Sequence, residues 1–115
     1  MIMWINRKVK RGTGTGRKIG FPTLNFNVGQ FGENYGEGVY ICEVKIADKL
    51  YNGSLYFGPR LHTRRKVLEM YVIGFNKIIY GQFVRFRVIK KIRKPKMFKN
   101  PDVLKKQIEE DLKNI

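Results

Sequence analysis

The feature that most constrains this chain is apolar alternation with a period of two, restarted at short intervals. From Val39 to Ile46, Tyr40, Cys42, Val44 and Ile46 fall on one face, while Glu43 and Lys45 share the other with Val39 and Ile41. Such alternation marks a strand with unlike faces. Val67–Ile73 is the most apolar segment, and Gln82–Ile89 again has strong β-propensity. Leu50–Phe57 reads as a strand interrupted by Asn52-Gly53, which could be a bulge. Met1–Val9, anchored by Trp4 and Ile5, reads as a first strand, and Phe21–Val28 continues extended with Phe26 and Val28 on one side. Ala47-Asp48-Lys49 is a turn, Gln30–Gly38 reads as a surface connection, and Gly58–Lys66, with Pro59, His62 and four cations, reads as a basic loop. The link Gly74–Gly81 is short enough for a hairpin. Short strands at this spacing, punctuated by Gly and Pro, predict an all-β barrel or sandwich.

One helix is expected at the C-terminal end. Asn100-Pro101 supplies an N-cap followed by proline at the first helical position. Leu104, Ile108, Leu112 and Ile115 then share one face at spacings of three and four. At 115 residues the chain makes one domain, 1–115, with β structure to about 99 and the helix over about 101–114.

Charge narrows the partners. There are 24 Lys and Arg against 9 Asp and Glu, a formal charge of +15, and three of the acids (Glu109, Glu110, Asp111) cluster near the end. Such a surface attracts polyanions: nucleotides, nucleic acid or an acidic membrane. Cys42 is the only cysteine, which excludes an intrachain disulfide and fits a reducing cytoplasm. Its apolar neighbours mark a buried thiol. No run approaches membrane-spanning length and no signal-peptide core opens the chain. A single His and a single Cys exclude a histidine metal cluster and a Ser/His/Asp or Cys/His nucleophile set.

Residues 12–25 carry the chemistry. Gly12, Gly14, Gly16 and Gly20 allow a ligand to approach backbone amides, Thr13 and Thr15 add hydroxyls, and Arg17 and Lys18 add charge. Such a loop can cradle an anion, although glycine-rich loops are more often simple turns. It is neither a Walker loop nor a dinucleotide fingerprint. Pro22 fixes the backbone before Thr23 and Asn25, which stand two residues apart on one side of an extended segment. Their hard oxygens, with phosphates and water, suit Mg²⁺. Downstream, Glu69 is the only charge in Val-Leu-Glu-Met-Tyr-Val-Ile and shares a face with Val67, Tyr71 and Ile73. A carboxylate there is either paired structurally or poised as a general base.

The string Gly16-Arg17-Lys18-Ile19-Gly20-Phe21-Pro22-Thr23-Leu24-Asn25 closely resembles the signature of the riboflavin kinase (flavokinase) family. The similarity runs on through Gly38-Val39-Tyr40, Glu69, Ile79-Tyr80-Gly81, Ile92-Arg93 to Phe98, and Gln107-Ile108-Glu109-Glu110-Asp111. It implies a six-stranded Greek-key β-barrel with a C-terminal helix, and transfer of the ATP γ-phosphoryl group to riboflavin, giving FMN. By that resemblance Gly12, Gly14, Thr15, Gly16, Arg17, Lys18, Gly20, Pro22 and Thr23 hold the nucleotide phosphates. Thr23 and Asn25 hold Mg²⁺, with Mn²⁺ and Zn²⁺ left open. Glu69 takes the hydroxyl proton, and Arg93, Phe98 and Leu104 flank the flavin. The chain departs from the family where Tyr71 replaces a histidine two residues after the base, where Arg93-Lys94-Pro95 lacks a glutamate, and at Gly58-Pro59-Arg60. No adenylyltransferase segment is present in these residues, so a monomeric stand-alone kinase, or a piece of a longer protein, is expected. The alternative is a non-catalytic basic barrel that binds nucleic acid or flavin. Thr23, Asn25 and Glu69 together favour the kinase.

Overall fold

Each alternating segment becomes a strand, and six of them close on themselves. The computed structural model describes residues 3–11, 23–59, 65–95 and 101–113, with the backbone alone for 101–105. The strands are β1 (Ile5–Lys10), β2 (Leu24–Phe26), β3 (Gly38–Ile46), β4 (Lys49–Pro59), β5 (Lys66–Val72) and β6 (Phe83–Arg93). All pairings are antiparallel, and the order around the closed barrel is β1-β2-β5-β4-β3-β6. The hairpin-linked strands β3, β4 and β5 with β2 returning beside β5 make a Greek key. Closure leaves no strand edge exposed to pairing.

The period of two sorts the side chains. Val9, Phe26, Cys42, Val44, Leu55, Leu68, Met70, Val72, Val84 and Phe86 point inward and are essentially inaccessible. Phe26 and Phe86 meet inside the barrel with ring centroids 5.5 Å apart. Ala47 and Asp48 turn β3 into β4 with φ of 48° and 68°. This is the two-residue turn whose positive φ values match strand twist.

Three expectations are corrected. Asn52-Gly53 forms no bulge: β4 runs in continuous register with β3 through both residues, and its unbroken pairing with β5 starts at Gly53. Irregular register falls instead between β3 and β6, at Val39/Tyr40 and Ile41/Cys42. Gly53 is there for space. A Cβ on it would lie 2.6 Å from Met70 Sδ and 3.0 Å from Val44 Cγ2, both buried. Gly53→Ala is therefore expected to destabilise the barrel by about 1–3 kcal/mol through overpacking. The urea midpoint should fall with an unchanged slope; an unchanged midpoint would mean that Met70 swings clear.

Gln30–Gly38 is not merely a surface connection. It holds a helical turn, α1 (Phe31–Asn34), whose Phe31 is 2% exposed and plugs one end of the barrel against Tyr35, Tyr40 and Phe57. Two aromatics in a polar segment are enough to bury it. Nor do β5 and β6 form a hairpin. β5 lies between β2 and β4, and β6 between β1 and β3, on opposite sides of the barrel. The link between them crosses the barrel and buries Ile79. Gly81 N–H donates to Val9 O, and Val9 N–H to Gln82 O.

The helix α2 spans Pro101–Leu112. Its less exposed side includes Ile108 and Leu112, as expected, but its most buried described residue is Asp111.

Cys42 is fully buried, and burial pushes its thiol from 9.0 up to about 12. Burial also raises the Tyr40 hydroxyl, with Tyr35 and Cys42 adding to it; that hydroxyl donates to Gly36 O. A raised folded-state value contributes stability that is present below the ordinary value and lost as pH climbs toward the folded one. Stability should therefore fall between pH 9 and about 12, and Cys42→Ala should flatten part of that fall in denaturant titrations. The same slope in the variant would remove the thiol as its cause.

Candidate functional site

Strand register brings the polar residues of the sequence signature together. Asn25 on β2 lies directly across from Glu69 on β5, and on the other side Asn25 faces Lys10 of β1. Glu69 in turn faces Tyr56 of β4, Tyr56 faces Val39 of β3, and Val39 faces Arg93 of β6. Since directly opposed residues share a face, one row circles the outside of the barrel: Lys10, Asn25, Glu69, Tyr56, Val39, Arg93.

Thr23, just before β2, closes on the same point. Its hydroxyl donates to Glu69 Oε2 at 3.2 Å. Hydroxyl, amide and carboxylate are thus gathered where the chain leaves the glycine-rich segment. Asn25 is only 9% exposed and Glu69 is half-buried. The inward neighbours Leu24, Phe26, Leu68 and Met70 belong to the core, which fixes both backbones. Glu69 thereby sits on the Val67/Tyr71 side, as alternation predicts.

One part of the site carried no signal in the sequence. Beside Thr23 a shallow depression, with room for little more than a water molecule, lies between Val9, Leu24 and Val72 and the segment Phe75–Tyr80. Ile78 and Tyr80 at its rim are 62% and 49% exposed.

At the far end of the row, Arg93 holds the helix. Its Nε and Nη2 donate to Asp111 Oδ1 and Oδ2 at 2.9 and 2.8 Å, a two-pronged pair. Nη1 donates to Lys94 O, and Gln107 Nε2 also donates to Asp111 Oδ1. The Gln-Ile-x-x-Asp spacing thus places Gln107 one turn before Asp111, where it and Arg93 both donate to Asp111 Oδ1. Close by, Pro95 packs over Gly58, where a Cβ would lie 2.9 Å from Pro95 Cγ. Tyr56 donates to Pro59 O at 2.5 Å.

Gly12, Gly14, Thr15, Gly16, Arg17, Lys18, Gly20, Pro22, Phe98 and His62 lie outside the described residues, as does the side chain of Leu104. Among the described residues no three His, Cys, Asp or Glu side chains cluster as a metal site. The neutral oxygens of Thr23 and Asn25 remain the donors that fit a hard cation sharing phosphate ligands. No helix among the described residues is long and apolar enough to cross a membrane.

Fold and row together define a small Greek-key barrel with a polar cluster, Thr23, Asn25 and Glu69, on its β2–β5 pair. The riboflavin kinase (flavokinase) profile matches residues 2–115, and the chain belongs to that family. It is 35% identical over 108 residues to the bifunctional riboflavin kinase/FMN adenylyltransferase of Haemophilus influenzae, covering 91% of this chain and 35% of that protein. It is 31% identical over 107 residues to the RNA-binding riboflavin kinase RibR of Bacillus subtilis, covering 90% of this chain and 46% of that one. Its fold is similar to a crystal structure of a macrolide-efflux protein from Streptococcus pneumoniae, with a TM-score of 0.83 and 27% identity over 97% of this chain and 38% of that chain. The chain thus spans a third to a half of the length of these relatives.

Proposed function

We propose that the chain is a riboflavin kinase that transfers the γ-phosphoryl group of ATP to the 5′-hydroxyl of riboflavin, giving FMN and ADP. The observation that carries this reading is the Thr23–Glu69 hydrogen bond beside Asn25. It puts a proton acceptor next to two neutral oxygen donors, directly after the glycine-rich segment.

Glu69 accepts the proton of the ribityl hydroxyl as that oxygen bonds to phosphorus and the bond to the ADP oxygen breaks. Thr23 orients the carboxylate by donating to Oε2, and its own lone pairs face away from that bond. Thr23 and Asn25 hold Mg²⁺ together with the phosphates, and the ion supplies charge neutralisation there. Lys10, across from Asn25, adds positive charge on the same row. The residues of the 12–22 segment cradle the phosphates through backbone amides. Arg93 serves the flavin by fixing α2 against the barrel. Leu104 and Phe98 then flank the ring. Alignment and charge neutralisation suffice for phosphoryl transfer, which asks for little covalent help from the protein.

The direct test is incubation of the purified protein with riboflavin and Mg²⁺-ATP, followed by chromatography. FMN appearing with equimolar ADP is the expected result. Quenching of flavin fluorescence with no FMN would leave a flavin-binding barrel and overturn the kinase reading.

A further inference from the structure

The side of the barrel opposite Glu69 is organised differently. In the closed order β1-β2-β5-β4-β3-β6, strand β6 stands diametrically across from β5. The sheet β1–β6–β3 contains nine Lys and Arg residues and a single acid, Glu43. Glu43 is engaged by Arg87. Register places Lys8 beside Phe83, and Asn6, Arg85 and Lys45 in one row across the outer face.

Aromatic side chains interrupt this basic face. Phe83 is 62% exposed, and Trp4 is 41% exposed with the Arg87 guanidinium 5.6 Å from its ring centre. Four residues of β6 separate Phe83 from Arg87, about 13 Å along a strand. Arg85 and Lys45 lie between these two platforms. An exposed phenylalanine is expensive in water unless something covers it, and a basic barrel wall with spaced rings offers stacking and phosphate contacts together. An acidic protein would find the cations but no reason for flat rings at this spacing.

We infer that the outer face of β1–β6–β3 binds single-stranded nucleic acid, with Phe83 and Trp4 as stacking platforms and Lys8, Lys45 and Arg85 as phosphate contacts, independently of the nucleotide site. Trp4, Lys8, Lys45, Phe83 and Arg85 are not members of the row from Lys10 to Arg93, and β6 lies across the barrel from β5, so both sites can be occupied at once.

The test is fluorescence anisotropy with a fluorescein-labelled oligo(dT) of about 12 nucleotides, within the ~4–16 that a small barrel engages. Binding is measured across a salt series, both without nucleotide and with saturating Mg²⁺-ATP. With three phosphate contacts, log K should fall with log salt at a slope of about −2, and Arg85→Ala should reduce that slope by roughly 0.7. Phe83→Ala should weaken binding on the order of tenfold with the slope unchanged. Kinase turnover in both variants, as a check on folding, should stay at the parental level. Loss of oligonucleotide binding when ATP is added would place the probe in the nucleotide site and overturn the inference. So would unaltered binding in Phe83→Ala and Arg85→Ala, or binding to phosphatidylserine vesicles without binding to the oligonucleotide.

Discussion

Glu69→Gln is expected to slow FMN formation by about 10²–10⁴-fold while Mg²⁺-ATP affinity stays near its parental value. The glutamine keeps the shape of the side chain and can still accept a hydrogen bond from Thr23, so the β2–β5 geometry survives. What disappears is the acceptor for the ribityl proton. Calorimetry with a non-hydrolysable ATP analogue separates binding from turnover. Turnover within a fewfold of the parent would show that proton removal is not limited by Glu69, and the row would then be a structural contact. Lost nucleotide binding would instead assign the carboxylate to the metal and phosphate side.

The second large effect is expected at the other end of the row. Asp111→Ala removes the carboxylate that Arg93 grips with two hydrogen bonds, where the two side chains are only 18% and 7% exposed. Breaking a largely buried pair leaves the remaining charge uncompensated, at about 3 kcal/mol. A 12-residue helix is marginal by itself in water. The loss should therefore appear as local detachment of α2. Hydrogen exchange at its amides should accelerate on the order of 10²-fold, while the amides of β3 and β4 keep their protection. Since α2 flanks the flavin in the proposed reaction, KM for riboflavin should rise more than kcat falls. Uniform acceleration over the whole chain would mean that the helix and the barrel unfold as one unit.

Much of this architecture is written in the period of two. The interior faces of β3 and β5 follow directly from Tyr40, Cys42, Val44 and Ile46, and from Leu68, Met70 and Val72. Thr23 and Asn25 stand out through the 16–25 string, and Glu69 as the lone charge in an apolar strand. What alternation does not encode is pairing across the chain. It makes Gly74–Gly81 look like a hairpin, because a short link usually joins neighbouring strands. Only the closed topology reveals that the segment crosses the barrel. Gly53 illustrates the same limit: an Asn-Gly pair signals a turn or bulge locally, yet its cause is the thioether of Met70 on the adjacent strand. Asp111 reads as one more acid in a charged tail, and its burial depends on Arg93, eighteen residues earlier. The depression at Phe75–Tyr80 has no linear signature, since its walls come from four separate segments.

The row from Lys10 to Arg93 also bears on how such a chain can change in length. Its members are set by count along strands and not by loop shape. Removing a single residue between Lys66 and Leu68 would slip β5 against β2 and turn every following side chain to the opposite face. Glu69 would be driven into the interior, and an apolar neighbour would take its place beside Asn25. The connections between strands can absorb insertions with little penalty. The row is therefore protected by parity: a single-residue change in length within β2 or β5 reverses its faces, whereas insertions in exposed parts of the connections leave them as they are.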